Sequence, residues 1–303
     1  MATPRKREGI MLAYPYERRR LEDPKFKWQF PVVIQPKLDG ERCRIHMDHY
    51  RTIRLFSSTS ERIRSVPHIE AELEALWHSQ PGIEHVAELD GELYLHGLDF
   101  NEIHSIVSRT KELHPDFAAM QLHLFDFIPV EPTMRQMRRS MLLSQMFKES
   151  SVIKVVRSSI AGNVEVVESF LNTYDTQGYE GIVVRHPDLL YERKRSTWML
   201  KFKPKKTDTY RLVRVEEAIS KEGQLLEMAG AFVVSDESQE FKVGCGRLSH
   251  EERRRIFNDE TLEGNSWVTI QYQATQPKTN IPRFGLAVAI SRNPLGPILY
   301  GSN

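Results

Sequence analysis

The apolar run Pro31-Val32-Val33-Ile34 ends abruptly at Gln35-Pro36-Lys37-Leu38-Asp39-Gly40-Glu41-Arg42, where four charges fall in six residues. Such a run reads as a buried strand, and Asp39-Gly40 as the turn that closes it. Beyond the turn, Arg42, Arg44 and His46 alternate with Cys43, Ile45 and Met47, the period of a half-buried strand. Helical spacing takes over at residues 68–79, where Ile69, Leu73, Leu76 and Trp77 share one stripe. Asn101 is placed to cap a short helix carrying Ile103, Ile106 and Val107, and Val164, Phe170, Leu171 and Tyr174 mark another. Residues 88–94 bring an apolar approach into a second Asp-Gly-Glu turn, and residues 123–128 form a strand with an aromatic at alternate positions. Glu180 begins a further strand, and in residues 198–203 Lys201 and Lys203 fall on one face, opposite Trp198, Leu200 and Phe202.

After residues 203–208 (KPKKTD) the pattern becomes mostly strand-like. Residues 212–219, 230–235, 240–244, 266–273 and 284–291 predict five strands, and Ser249 with Glu252 predicts a capping box opening a short helix between the third and fourth. Five strands interrupted by a helix fit a small closed barrel of the OB type. The expected class is α+β, with one domain over residues 1–205 and an OB-fold domain over residues 206–303.

With 303 residues, 40% hydrophobic and 27% charged, the chain is long enough for two cores and too apolar to be disordered. A formal charge of +1 conceals a cluster in which Arg193, Lys194, Arg195, Lys201, Lys203, Lys205 and Lys206 fall within fourteen positions. Arg5-Lys6-Arg7 and Arg18-Arg19-Arg20 add two more. Runs of this kind are most often solvated faces, and they also gather around polyanions. Two cysteines, Cys43 and Cys245, exclude a disulfide scaffold and read as reduced core residues. The eleven histidines lack zinc spacing, although His46 and His49 sit three apart, and read as structural or exposed. No apolar run approaches the roughly 20 residues that span a bilayer, so a soluble, intracellular protein without a membrane partner is expected.

Each charged position has a plain alternative: Lys37 as a solvated strand end, Asp-Gly-Glu as a turn, Phe125 as core, Glu180 as an exposed strand start. A lysine held among other cations and partly desolvated, however, loses its proton more easily, and the neutral amine is a nucleophile. Around Lys37 the pattern supplies cations at Arg42, Lys201 and Lys203, carboxylates at Glu92 and Glu180, and an aromatic at Phe125. Those are the components of a nucleoside triphosphate site.

In order along the chain, KLDGER (37–42), ELDGEL (88–93), FDFI (125–128), EGIVVR (180–185), LKFKP (200–204) and PRFGLAVAISR (282–292) resemble the motif series of the ATP-dependent DNA ligases, within the covalent nucleotidyltransferase superfamily. The resemblance covers nearly the whole chain from Met11. It implies an adenylation domain of antiparallel sheets with flanking helices, followed by the barrel. Lys37 would attack the α-phosphorus of ATP to form lysyl-AMP and expel pyrophosphate. Gln35 and its neighbouring backbone would read adenine, Glu92 would hold the ribose, and Phe125 would stack on the base. Glu180, with Glu92, would bind Mg²⁺ or Mn²⁺, while Lys201 and Lys203 hold the α-phosphate. Arg42 would lie beside the nucleotide and the nick, and Arg283 would reach the departing pyrophosphate as the barrel closes. AMP would then pass to the 5′-phosphate of nicked duplex DNA, and the 3′-hydroxyl would displace it.

Three departures qualify the resemblance. Residues 56–62 (FSSTSER) lack the arginine-glycine pair common after the first motif, with Arg62 as the candidate substitute. Gly285 stands where a proline is common, and Asn293-Pro294 replaces an acidic and basic pair. A minimal two-domain enzyme of phage, viral or bacterial type is expected, a monomer served by repair or replication partners. The alternatives are an RNA ligase or mRNA-capping guanylyltransferase, and a non-catalytic nucleic-acid-binding protein that uses the barrel as a platform.

Overall fold

Two sheets, rather than one, flank the turn at Asp39-Gly40. The computed structural model describes residues 7, 9–48, 52–77, 79–147, 150–246, 248–275 and 279–301, so Arg5, Lys6 and His49 lie outside the described residues. The chain divides into two compact units, Met1–Pro204 and Lys205–Asn303. The strands of the first are β1 (Leu12–Pro15), β2 (Val32–Lys37), β3 (Glu41–Met47), β4 (Ile53–Phe56), β5 (Arg62–Ile63), β6 (Val86–Tyr94), β7 (Gln121–Pro129), β8 (Ile153–Val155), β9 (Ser159–Ala161), β10 (Gly181–Arg185) and β11 (Arg195–Phe202). They form one five-stranded sheet, β1-β11-β10-β2-β9, and one six-stranded sheet, β5-β4-β3-β6-β7-β8. Because β2 ends at Lys37 and β3 begins at Glu41, the turn carries the chain from one sheet to the other.

Burial explains why β2 reads as an unbroken apolar run. Val32 and Ile34 pack into a core with Val164, Val167, Leu171, Ile182 and Leu200, while Val33, also fully buried, belongs to the alternate set of positions. Each such side chain contributes about 1.5–3 kcal/mol. In β3 the alternation is as expected, since Cys43 and Ile45 are buried and Arg42, Arg44 and Met47 half-buried. The second Asp-Gly-Glu is not a turn. Asp90, Gly91 and Glu92 lie inside the nine-residue β6, where a Cβ on Gly91 would stand 2.7 Å from the His123 carbonyl oxygen. Glycine is used here for close approach of the neighbouring backbone.

The helices are α1 (Arg18–Glu22), α2 (Pro67–Trp77), α3 (Phe100–Val107), α4 (Gln136–Met146) and α5 (Val164–Thr176). α2 buries Ile69, Leu73 and Trp77 of the expected stripe and leaves Leu76 half-buried, while α5 buries Val164, Leu171 and Tyr174 together with Val167 and leaves the expected Phe170 half-buried. The cap of α3 is Asp99 rather than Asn101. Its carboxylate accepts from the backbone of Asn101 and Glu102, and Glu102 returns a hydrogen-bond acceptor to the Asp99 N–H at 2.9 Å. The apolar pattern does not mark α4, because its buried face includes Gln136, Arg139 and Ser140. Among the described residues no helix is long and apolar enough to cross a membrane.

The second unit contains β12 (Lys206–Ile219), β13 (Leu225–Ser235), β14 (Glu240–Gly244), β15 (Trp267–Tyr272), β16 (Ala274–Thr275), β17 (Pro282–Arg283), β18 (Leu286–Ser291) and β19 (Ile298–Gly301). Its main sheet runs β14-β13-β12-β15-β18-β19, and Gly244 of β14 also pairs with Leu286 of β18, joining the first five strands into a ring. Leu212, Phe232, Val268, Ile270 and Ile290 fill it. α6 (His250–Phe257) opens on the Ser249/Glu252 capping box. β12 starts six residues before the apolar pattern does, because Lys206–Tyr210 are ordered by pairing with β15.

Replacing Asp99 by alanine is expected to lower stability by about 1 kcal/mol, while Asn101→Ala stays within about 0.5 kcal/mol. Urea denaturation of the two variants checks which residue caps α3.

Candidate active site

Lys37, Glu180 and Lys203 meet where β2, β10 and β11 end side by side. Lys37 pairs with Gly181 across β2 and β10, Val183 pairs with Lys201 across β10 and β11, and the Glu180 N–H donates to the Lys37 carbonyl at 3.1 Å. Gly181 permits this convergence: its φ is +144°, and a Cβ there would collide with the Phe202 carbonyl oxygen at 2.2 Å. One carboxylate serves both lysines, since Glu180 Oε2 is ion-paired with Lys37 Nζ and Oε1 with Lys203 Nζ. Lys37 Nζ also donates to the Leu38 carbonyl at 3.3 Å. The three side chains are only 24%, 17% and 19% exposed, for Lys37, Glu180 and Lys203, so the group is largely withdrawn from water. Burial works to raise the Glu180 carboxyl, but Lys37 and Lys203 outweigh it and hold the group below its ordinary value. At Lys201, burial and then the Lys203 and Lys37 charges lower the pKa.

The second sheet contributes Arg42, Asp90, Glu92 and Phe125. Arg42 and Glu92 face each other across β3 and β6. Arg42 is committed to Asp90, donating from Nε at 2.6 Å and Nη2 at 2.5 Å, and the Tyr191 hydroxyl donates to the same buried carboxylate. The Arg42 guanidinium also lies 4.5 Å from the centre of the Phe125 ring. Phe125 owes its position to a bulge: Asp90 pairs with Asp126 and Gly91 with Leu124, which leaves Phe125 as the extra residue of β7. The simple alternation expected for this strand therefore breaks, and Phe127 is buried in the core while Phe125 stays half-buried beside Arg42. Burial pushes the half-buried Glu92 up to about 7, against the pull of Lys37 and Arg42.

Behind these groups lies a buried polar network that the sequence pattern did not reveal. Asp126, 1% exposed, is ion-paired with Arg139 at 2.8 Å and Arg185 at 3.0 Å, both also buried. Gln136 Oε1 accepts from Arg139 at 2.7 Å. Gln35 is drawn in as well: Arg185 Nε donates to its Oε1 at 2.9 Å, and its Nε2 donates to the Phe125 carbonyl at 2.8 Å and Ser158 Oγ at 3.0 Å. The available signals were a carboxylate between two aromatics in Phe125-Asp126-Phe127 and an arginine closing the apolar run 182–184.

Other expected contacts are differently employed. Arg62 is held by Glu70 and by the carbonyls of Leu55 and Ile63, so it does not present an unengaged guanidinium to a nick. Arg18 is paired with Glu22, Glu165 and Glu168, while Arg19 and Arg20 are paired with Glu17, making that cluster a self-neutralised surface. Arg283, in the second unit, lies 5.7 Å from the Phe284 ring on the short strand β17.

Hard oxygen donors suit Mg²⁺, which is commonly held by one or two carboxylates with phosphate and water oxygens completing the shell. Glu180 and Glu92 fit that limited role. Among the described residues no group of three or more acidic, histidine or cysteine side chains forms an all-protein cage.

Residues 10–203 match the ATP dependent DNA ligase domain, and the chain belongs to that family. The DNA ligase of Haemophilus influenzae is 26% identical over 159 residues, 52% of this chain and 57% of that relative. The DNA ligase of Enterobacteria phage T6 is 23% identical over 331 residues, covering 90% of this chain and 66% of the phage protein. The chain thus spans less than two thirds of either relative. A solved structure from work on Lig E DNA ligases and DNA binding with a minimal scaffold shares the fold at a TM-score of 0.70 and 23% identity, covering 93% of this chain and 99% of that one.

Because the Glu92 pKa rises from 4.5 unfolded to about 7 folded, its ionisation costs stability as pH rises through that window, and the cost levels off above it. Glu92→Gln should remove this loss, gaining on the native chain by on the order of 3 kcal/mol between about pH 4.5 and 7. Unfolding free energies of both proteins across pH measure the difference.

Proposed function

We propose that the chain is an ATP-dependent DNA ligase that seals 5′-phosphate/3′-hydroxyl nicks in duplex DNA through a lysyl-AMP intermediate on Lys37. The observation that supports this reading is the pairing of Lys37 and Lys203 with the one carboxylate of Glu180, whose charge and that of Lys37 act on Glu92, itself paired across β3 and β6 with the Arg42 that lies against the Phe125 ring.

In the resting state Glu180 keeps Lys37 in place as half of an ion pair. When Lys37, one proton given up to solvent, attacks the α-phosphorus, the Nζ–P bond forms, the bond to the bridging oxygen of pyrophosphate breaks with its electron pair going to pyrophosphate, and a second Nζ proton leaves to solvent to give the neutral phosphoramidate. Lys203 then remains on Glu180, so the carboxylate is not left as an uncompensated buried charge. Lys201 and Lys203 supply point charges for the non-bridging oxygens, where negative charge is spread in the transition state. A divalent ion held by Glu180 and Glu92 would add Lewis-acid stabilisation of the same oxygens. Phe125 offers a ring face to the base once Arg42 moves off it, and Glu92 accepts from ribose hydroxyls in its ionised form. Arg283 is assigned to pyrophosphate on its motif alone.

The second half of the reaction passes AMP to the 5′-phosphate, after which the 3′-hydroxyl attacks that phosphate and AMP departs. Duplex binding would rest on Lys205, Lys206 and other basic side chains that meet the phosphate backbone, with little dependence on base sequence. A monomer acting with repair or replication proteins is the simplest form of this proposal. An mRNA-capping guanylyltransferase would label with GTP instead, and an RNA ligase would prefer nicked RNA.

Incubation with α-labelled ATP and Mg²⁺ should leave AMP on Lys37, as peptide mapping will read, and Lys37→Ala should abolish the label while leaving DNA binding largely intact. Label persisting in that variant excludes the assignment. Affinity for a nicked duplex should drop on the order of a thousandfold between about 50 and 200 mM salt if six or more phosphates are neutralised, measurable by fluorescence anisotropy.

A further inference from the structure

We propose that the groove between α4 and the β8–β9 segment is a docking site for an extended, acidic peptide segment of a partner protein. The groove encloses about 1000 Å³ within the first unit, and none of Lys37, Glu92, Phe125 or Glu180 lines it. The proposal therefore stands apart from the ligase reading. One wall is α4, which presents Met137 and Met141, and the other runs from Phe147 to Ile160, with Val33 of β2 completing it. Met141 is 55% exposed and Ile160 48%. Isolated apolar side chains at a surface are ordinary, whereas several gathered on one concave wall mark a place where something apolar is received. Methionine suits this use, because its flexible thioether repacks around differing side chains.

What the groove receives is set by the strand at its border. β9 ends its sheet, hydrogen-bonded to β2 on one side, and β8 ends the other sheet. Among the described residues, no further strand pairs with β9, and no backbone hydrogen bond from a turn or loop reaches residues 159–161. An edge of this kind leaves a row of N–H and C=O groups turned outward, a template for another extended chain. A peptide laid along it gains main-chain hydrogen bonds, and its alternate side chains fall on the face that Val33 and Ile160 share as cross-strand partners.

Charge selects among peptides. Lys154 and Arg157 line the groove, and no aspartate or glutamate does so among the described residues. Lys154 donates to the Ser150 carbonyl at 2.8 Å, and neither cation is ion-paired with a described carboxylate. Elsewhere on this unit, Arg18, Arg19 and Arg20 are neutralised by glutamates. Two cations left unneutralised beside an apolar wall favour a segment in which Asp or Glu alternates with aliphatic residues. Single-stranded nucleic acid would satisfy the cations, but it stacks its bases on exposed aromatic rings, and the one aromatic among the described lining residues, Phe147, is buried.

The test uses the full chain and random peptides of about twelve residues displayed on phage, long enough to span the edge strand and its flanks. Enriched sequences should alternate Asp or Glu with Leu, Ile, Val or Met, and amide hydrogen exchange at residues 159–161 should slow when such a peptide, made synthetically, is bound. Fluorescence anisotropy of the labelled peptide should show affinity at least about tenfold weaker for the double variant Lys154→Glu, Arg157→Glu, and regained when the acidic residues of the peptide are exchanged for lysine. Arg157 is exposed, so Arg157→Glu alone carries the test if the double variant does not fold, with a loss of about threefold or more. Selection that enriches no peptide, enriched peptides without acidic residues, or affinities within about twofold of the native value in the charge variants overturn the inference. An oligothymidylate that displaces the peptide and is itself weakened by the same substitutions marks a nucleic-acid surface and overturns it as well. Failure of the unaltered chain to label with ATP would sink the ligase reading and leave this one to be judged by the peptide.

Discussion

Glu180 shares its carboxylate between two lysines in a place with little water, and this triad sets the terms for the surrounding structure. A lone buried ammonium would be costly, and two of them adjacent would repel. The single carboxylate makes their proximity tolerable, and their joint field keeps it ionised despite burial. Three strand ends must coincide for the triad to exist, which the register of β2, β10 and β11 provides. Gly181 removes the side chain that would hold β10 and β11 apart.

A second buried arrangement backs the first. Arg139, Asp126 and Arg185 form an ion triad of the same sign pattern, one carboxylate between two guanidinium groups. Buried triads of this kind are poor sources of net stability, since desolvation offsets much of the attraction, yet removal of one member leaves an unpaired charge. Their value here is geometric. The network joins α4, β7, β10 and β2, so the element that carries Phe125, the one that carries Gln35 and the one that follows Glu180 are held to one another by directional contacts. Apolar packing alone, being non-directional, would fix their rotation less strictly than their spacing.

Much of the fold is legible in the local sequence pattern. Alternation in β3, the stripes of α2 and α5 and the Ser249/Glu252 capping box are local patterns, and they appear where the periodicity put them. Failures cluster where a tertiary partner decides. Asp90-Gly91-Glu92 reads as a turn because Asp and Gly usually are one, whereas here Gly91 lies within β6 under the His123 backbone. Phe125 and Phe127 look equivalent in a period of two, until a bulge against β6 separates them. α4 has too polar a buried face to be recognised, because its interior partner is an aspartate on another element.

By itself the sequence determined the order of charged motifs, the identity of the amine and carboxylates available for chemistry, and most of the strands and helices that carry them, since these depend on neighbours within a few residues. Only the tertiary structure decided which carboxylate holds Lys37, that Arg42 is committed to Asp90, that Arg62 is committed to Glu70, and which way the Gln35 amide points. Those outcomes depend on groups from eight to 150 positions apart, and electrostatic and hydrogen-bond pairing acts through distance and direction in space, which order along a chain does not encode.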